Sequence, residues 1–460
     1  MKTELGRAEL SRFARRERGR FETLLTELVE TPTVSSDPSR RPAIAKGVAL
    51  AVQTLRDFGA RVTVARTRGN PIVHGVFPAG KRAPTVTVYN HLDVQPASRE
   101  TEPWRTDPFR LVQRAGRYFG RGATDDKGPA LSALFGARAA REKGVPVSIH
   151  FLWEFEEEVG SPHFEEGLRR LGRRAATDSV VVADGLWLDR ERPATMVGLR
   201  GFQGFRFVLE TARADTHSGT TGGAARNPIG ELMKLMCDIA DPVSGRVKVP
   251  GFYDDVEKPT RREIEQLRRC GFSLSAFRRD YGLKSLRTDR PLEVLKRVWL
   301  HPTFEVHGVA GGFTGPGLKA IVPGRAEVKA SCRLVPAQKP ERVVRLFEKF
   351  VRERHPDVRV LAGGSALPFR GTTAGPFADA IRRAVRFAFG RTPVSIRGGG
   401  SIGAVLTMKE VLRCPVLFLD LSLPEHGYHA PNEFFDWRQA SGGMAAFAKY
   451  FEELSRRARA

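Results

Sequence analysis

Five short stretches of this chain place imidazole and carboxylate groups at spacings that can do chemistry. His91-Leu92-Asp93 follows the apolar run Thr85–Tyr89. In extended chain a spacing of two puts both side chains on one face, and a carboxylate there can hold the ring nitrogen that faces away from a metal ion. Gly120-Arg121-Gly122-Ala123-Thr124-Asp125-Asp126-Lys127-Gly128 sets glycines on both sides of two adjacent acids. That composition suits a tight strand-to-helix loop with its carboxylates aimed into a crevice. Glu156-Glu157-Glu158-Val159-Gly160-Ser161 comes straight after another apolar run, and three consecutive carboxylates repel one another unless cations neutralise them. Asp184 ends the run Ser179–Ala183, and His426-Gly427-Tyr428-His429-Ala430-Pro431-Asn432-Glu433 follows the run Val416–Leu421.

Singly, each stretch has a plain structural reading: a satisfied polar pair, an acidic N-cap beside a solvated Lys127, a solvated turn, a helix cap, a polar surface loop. Together they would be five coincidences, each just beyond a strand of one α/β sheet, where ligands of open α/β sheets bind. Cys237, Cys270, Cys332 and Cys414 are scattered with no CxxC pair, and they read as isolated reduced thiols. Any metal would therefore be held by histidine and carboxylate, a set that suits zinc, manganese or cobalt in a hydrolytic site. Two neighbouring ions need a shared carboxylate and several further acids, and these stretches supply them.

The elements that must position these groups follow from periodicity. Leu10, Phe13, Phe21, Leu24, Leu25 and Leu28 have helical spacing within 8–30. Strands are predicted at Thr85–Tyr89, Val147–Phe155 and Val180–Ala183, with helices at 128–142 and Pro162–Arg174, the latter started by the Ser161 hydroxyl and a proline. This alternation argues for a sheet layered with helices. From Leu199 the pattern changes: a strand at Phe205–Leu209, a helix at Pro228–Ile239, a charged irregular stretch from 251 to 300, strands at Thr303–His307 and Glu327–Leu334, and a helix at 340–354. After Ala374 come a helix, the buried run Val416–Leu421 and a closing helix over 438–456. The expected architecture is a mixed-sheet α/β catalytic domain from 1–198 and 370–460, with 199–369 inserted as an α+β lid and dimerisation domain.

At 460 residues, with 41% hydrophobic and 28% charged residues, the chain has the composition of a globular protein too large for one core. No apolar run is long enough to span a bilayer, and Met1 to Arg20 lacks the apolar segment of a secretory signal, so a cytoplasmic location is expected. The net charge of +23 invites a nucleic-acid reading. Arginine is spread along the chain, however, with clusters at 15–20, 169–174 and 261–269 on helix-like patterns, and no nucleic-acid motif accompanies it. Solvated helix faces are the reading adopted.

Taken in order, these stretches resemble the M20 family of metallopeptidases, in particular its cytosolic dipeptidase branch. The resemblance runs through Asn90-His91-Leu92-Asp93-Val94-Gln95-Pro96, the Gly-Arg-Gly-x-Thr-Asp-Asp-Lys-Gly loop, Glu-Glu-Val-Gly-Ser, Asp184 and His-Ala-Pro-Asn-Glu. Val249-Pro250-Gly251-Phe252-Tyr253-Asp254-Asp255 and Arg333-Leu334-Val335-Pro336 extend it. It implies two divalent ions per subunit, zinc first and manganese or cobalt as alternatives. Asp125 would bridge them, His91 and Asp184 would complete one site, and Glu158 and His429 the other. Asp93 would orient His91, and Glu157 would be the general base toward the activated water and later the acid toward the leaving amine. The family's cis peptide would fall at Asp125–Asp126. His217, in Asp215-Thr216-His217-Ser218-Gly219, would reach the active site of a partner subunit and stabilise the oxyanion, so a homodimer is implied. Arg333 would bind the substrate carboxylate, and Gly400 and Ser401, in Gly398-Gly399-Gly400-Ser401-Ile402, would form the substrate loop.

Two positions depart from the family pattern. Ala320, in Lys319-Ala320-Ile321-Val322-Pro323, replaces a threonine, and Gly375 precedes Pro376 where many relatives have histidine. Both bear on substrate identity, and neither is a metal ligand. The expected activity is metal-dependent hydrolysis of a dipeptide or similar short amide bearing a free carboxylate. An N-acyl-amino-acid deacylase on the same centre is the alternative, and a dead basic nucleic-acid or scaffold module is a more distant one.

Overall fold

The computed structural model describes residues 4–80 and 82–456, leaving Met1–Thr3, the first residues of the polar N-terminal stretch, outside the described part. Its main sheet has six strands in the order Arg61–Ala65, Ile72–Phe77, Ser148–Glu154, Thr85–His91, Ser179–Val182 and Val416–Phe418. The last four run parallel, while Ile72–Phe77 is antiparallel to both of its neighbours, which makes the sheet mixed. Thr85–His91 opens with four β-branched residues and Tyr89 and is buried on both faces from Val86 onward, as a central strand with helices on either side must be. The expected α/β class is what forms.

One helical layer joins Arg7–Val29, Gly128–Glu142, Pro376–Phe389 and Trp437–Ser455 over this sheet in one continuous apolar core. A Cβ on Gly136 would stand 2.6 Å from the Phe447 Cβ, so a glycine is what lets helix 128–142 approach the closing helix. Gly375 has φ +94 at the start of helix Pro376–Phe389. That backbone favours glycine.

A second sheet of four antiparallel strands, in the order Thr303–Gly311, Arg325–Leu334, Gly201–Glu210 and Arg359–Ala366, packs on helices Pro228–Ile239 and Pro340–Arg354 around a separate core. Between the two sheets, Ala194–Leu199 pairs with Phe369–Arg370 and Val394–Gly398.

Two sequence expectations are corrected. The stretch 251–300 contains three helices, Arg261–Arg269, Leu274–Asp280 and Pro291–Trp299. Leu267, Leu295 and Trp299 bury into the core around Val180, Val182 and Phe418, so tertiary packing supports the first and third of these helices, whose charged faces obscure their period. The helix expected from Ser161 begins at Phe164 and ends at Leu171. Ser161 has φ +56, and its hydroxyl donates to Glu154 Oε1 at 2.9 Å in place of capping.

His74 and His150 face each other across neighbouring strands, 3.4 Å between ring nitrogens. Burial lowers the pKa of His74 to about 3, with His150 and Arg174 adding to the effect, and burial lowers His150 to about 4. Both rings are therefore neutral in the folded chain, while unfolded chain takes up protons from about pH 6.5 downward. Stability is present above that pH and is lost as pH falls toward 4 and 3, by up to ~1.4 kcal/mol per pH unit for each ring. Urea midpoints at pH 7 and pH 5 should separate more for the native chain than for a His74→Phe/His150→Phe double variant. An equal separation would reject the assignment.

Candidate active site

The parallel strands end together, so the residues just past them share one edge. His91 is the last residue of its strand, Glu157 and Glu158 lie three and four residues past Glu154, and Asp184 lies two past Val182. The loop 120–127 and the loop carrying His429 close over this edge. Asp125 is the centre of the arrangement. Its Oδ1 lies 3.0 Å from His91 Nε2 and its Oδ2 lies 3.1 Å from His429 Nε2. Asp184 Oδ2 is 3.8 Å from His91 Nε2, and Glu158 Oε2 is 3.2 Å from His429 Nε2. The ligand atoms of His91, Asp125 and Asp184 lie within 4.8 Å of one another, as do those of Asp125, Glu158 and His429.

Each group could hold a metal ion, and Asp125 belongs to both. The donors fit: imidazole and carboxylate make a borderline-hard set of the kind divalent ions take. The electrostatics fit as well. Burial, then the nearby Asp125, pushes Asp184 up to about 7, and burial with the charges of Asp184, Glu158 and Asp93 carries Glu157 well above the usual carboxylate range. Burial opposes charge on His91 and His429. Hydrogen bonds to Asp125 nonetheless raise both, His429 to about 11, with Asp93 helping the first and Glu158 the second. Raised acids beside raised imidazoles mark a strongly negative field, which bound cations would relieve.

Surrounding contacts hold His91, Glu158 and Asp184. His91 Nδ1 is 3.1 Å from the Asp93 carbonyl and 3.5 Å from its carboxylate. That carboxylate accepts the backbone N–H groups of Glu157 and Glu158 at 3.2 and 3.0 Å, so Asp93 also anchors the acidic turn. Gln95 Nε2 donates to Glu158 Oε2 at 2.7 Å, and the Tyr428 hydroxyl donates to Asp184 Oδ1 at 3.2 Å. The Asp125–Asp126 peptide is cis, and Asp126 turns inward to accept from Asn90 at 2.7 Å. Lys127 is fully buried and donates to the carbonyls of Leu28 and Thr31 at 2.8 and 3.2 Å, which corrects its reading as a solvated side chain. Glu157 is in neither ligand group. It lines the adjoining cavity with Asp125, Asp184 and His429.

Two residues escaped the sequence reading. Glu433 is buried and accepts from Arg121 Nη1 at 2.9 Å and from the backbone N–H groups of Gly122, Thr124 and Asp125 at 3.1, 2.9 and 3.2 Å. It holds the loop that presents Asp125. Its place inside the His-Ala-Pro-Asn-Glu stretch was the available signal. Glu433→Gln should leave Arg121 buried without a counter-charge and cost about 3 to 5 kcal/mol, read as a fall in urea midpoint. Unchanged stability would remove Glu433 from this role. Arg200 is buried beside Arg333; its Nη1 donates to the Val298 carbonyl and its Nη2 to the Thr303 hydroxyl, each at 2.9 Å. Burial, then repulsion from Arg333, lowers it to about 10. No motif marked it.

Arg333 Nη1 donates to Ser401 Oγ at 3.2 Å, and the Ser401 hydroxyl donates to the Arg200 carbonyl at 2.5 Å. The Gly400 carbonyl accepts the Arg200 N–H at 3.1 Å. Neither guanidinium has a carboxylate partner among the described residues. Gly400 and Ser401 line the same cavity as Glu157. His217 is not gathered into this cluster. It sits exposed where Thr216–His217 pairs with Ile321–Val322, and its Nδ1 accepts from Gly219 N–H at 3.0 Å. Ala320 lies beside it, its carbonyl accepting from Ser218.

A mixed α/β sheet with two carboxylate–imidazole groups sharing one aspartate at its strand ends defines the metallopeptidase class. The chain belongs to Peptidase family M20/M25/M40, whose profile matches residues 87–453. It is 32% identical over 459 residues to Cys-Gly metallodipeptidase dug1 of Schizosaccharomyces pombe, covering 95% of each chain. It is 31% identical to the Beta-Ala-His dipeptidase of Homo sapiens over 93% of this chain and 88% of the other. The crystal structure of human carnosine dipeptidase 1 superposes with a TM-score of 0.87 at 30% identity, covering 98% of both chains.

Proposed function

We propose that this protein hydrolyses the peptide bond of dipeptides or similarly short peptides bearing a free carboxylate. The observation that carries the proposal is Asp125, whose two oxygens face two separate ligand groups while Glu157 stands beside them in neither. His91 and Asp184 would hold one ion and Glu158 and His429 the other, with zinc the first candidate and manganese or cobalt the alternatives. Divalent ions bound there supply Lewis-acid polarisation of an amide carbonyl and acidify water. Glu157 accepts the proton of the attacking water and returns it to the leaving amine. Asp93 keeps His91 in one orientation and holds the turn that aims Glu157. Arg333, with Ser401 beside it, pairs with the substrate carboxylate, a task that suits a planar guanidinium lacking an internal acid.

The assignment of 199–369 as an inserted lid and dimerisation domain belongs to the same proposal, as does His217 acting across a homodimer. Its exposure and distance from the local cluster support that role. Mixing a His217→Ala variant with a Glu157→Ala variant should restore part of the activity that each lacks, because one mixed site regains both groups. No recovery would count against it. No helix among the described residues is long and apolar enough to cross a membrane, and the four cysteines are free thiols. The free thiols support the proposed cytoplasmic location.

The test is metal analysis of the purified protein together with turnover of a dipeptide library after loading with zinc, manganese or cobalt. Two ions per chain and chelator-sensitive release of free amino acids are expected. Absence of turnover with every loaded metal would reject the activity.

A further inference from the structure

The cavity that meets the acid–imidazole cluster extends well past it, to about 350 Å³, a size typical of small-molecule sites. Away from the cluster its wall is formed by Trp187, Met196, Phe272, Phe277, Tyr281 and Trp299. The short helix Leu274–Asp280 buries none of its residues. Yet it carries Phe277 one turn before Tyr281, so the two share a face. Their ring centroids are 4.9 Å apart, and Phe272 adds a third ring 5.4 Å from Phe277. Trp299 and Met196 also belong to the core around Val180 and Phe418, with Phe272 packed on it, but Phe277 and Tyr281 belong to none of the apolar cores. Aromatic residues left so on the wall of a cavity are surface available for something else to cover.

The cavity has little to offer a charged group at that end. Arg397 reaches the wall but is paired with Glu263. The carboxylates and His429 lie at the opposite end, where the metal ligands are gathered. Past the glycine loop stand Ser401 and Arg333, suited to a terminal carboxylate. A charged side chain placed among the rings would lose its water without gaining a counter-charge, since the Tyr281 hydroxyl is a neutral group, and glycine would leave the space unfilled.

We infer that this chamber is a specificity pocket for a bulky apolar side chain, so that the preferred substrates are dipeptides carrying an aromatic or large aliphatic residue. The inference rests on the peptide-hydrolase reading above. It assigns Phe277 and Tyr281 as specificity-determining residues.

Two substrate series, X-Gly and Gly-X with X as Gly, Leu, Phe, Lys or Glu, test it on the metal-loaded enzyme. In at least one series Leu and Phe should exceed Gly in kcat/KM by on the order of 10- to 100-fold, the effect of burying such a side chain. Lys and Glu should not exceed Gly. Phe277→Asp, on a helix with no buried residue, should fold and bring the Phe-to-Gly ratio toward one. Calorimetric titration with free phenylalanine and free glycine reads the same chamber without turnover: phenylalanine should bind about tenfold tighter or more, and Phe277→Asp should abolish the difference. Hydrolysis with equal kcat/KM for Phe and Gly in both series, or a ratio unmoved by Phe277→Asp, would overturn the chamber assignment alone. Loss of all dipeptide hydrolysis with the phenylalanine preference intact would overturn the peptidase reading and leave the chamber standing.

Discussion

Glu157→Ala is expected to lower kcat by about 10²- to 10⁴-fold, the range for removing a positioned general acid–base group, while both metal ions stay bound. The separation between the two readouts follows from geometry. Glu157 lines the cavity but belongs to neither ligand group, so its carboxylate can be removed without removing a donor. Its backbone is held independently, its N–H bonded to Asp93 Oδ1 at 3.2 Å, so the turn that carries Glu158 should survive. Burial and the neighbouring Asp184, Glu158 and Asp93 charges act together against ionisation of this side chain, with His91 opposing them. Its removal relieves a crowded acidic pocket, and the metal-free variant should therefore unfold at no lower a temperature than the native chain. Metal analysis beside steady-state kinetics decides the matter. Near-normal turnover would remove Glu157 from the role of base, and loss of metal would make it a ligand.

Asp125→Asn should have the larger effect on metal content. Asp125 is the residue common to both ligand groups, with one oxygen toward each imidazole. An amide in its place supplies no negative charge and at most one good donor oxygen, so both ions should weaken together, each by at least about 100-fold, beyond what disturbing a supporting contact costs. Asp184→Asn is the control. It touches only the group with His91, and should leave the group of Glu158 and His429 able to take one ion. Competition with a chelator of known affinity distinguishes the two variants by stoichiometry. Two ions retained at native affinity in Asp125→Asn would refute the shared-carboxylate arrangement and the proposed activity with it.

Much of the site was legible because its donors sit where local pattern changes. An apolar run long enough to be a strand, followed by His, Asp or Glu, announces a strand end, and the stretches holding His91, Glu157, Glu158, Asp184 and His429 stand out that way, while the family resemblance singled out the individual residues within them. Glu433 was visible as a residue but not as a partner. It accepts from Asp125, 308 positions earlier, and no local spacing encodes a contact of that separation. Arg200 lies just past a strand with no motif around it, and only its neighbours Val298, Thr303 and Arg333 give it significance. The helices Arg261–Arg269 and Pro291–Trp299 were missed because charge on their outer faces masks an apolar stripe that shows itself only against the core.

The residue string was sufficient for the kinds of group, the alternation of strand and helix, and the family, since each depends on side-chain chemistry at short range. The order of the strands was not readable there. Thr85–His91 lies between Ser148–Glu154 and Ser179–Val182, and that placement brings four distant strand ends to one edge and makes Asp125 face two imidazoles at once. Such meetings arise from burying both faces of a sheet in a single core. The apolar chamber has the same origin, assembled from segments around Trp187, Phe277, Trp299 and Ile402 that share no local signature.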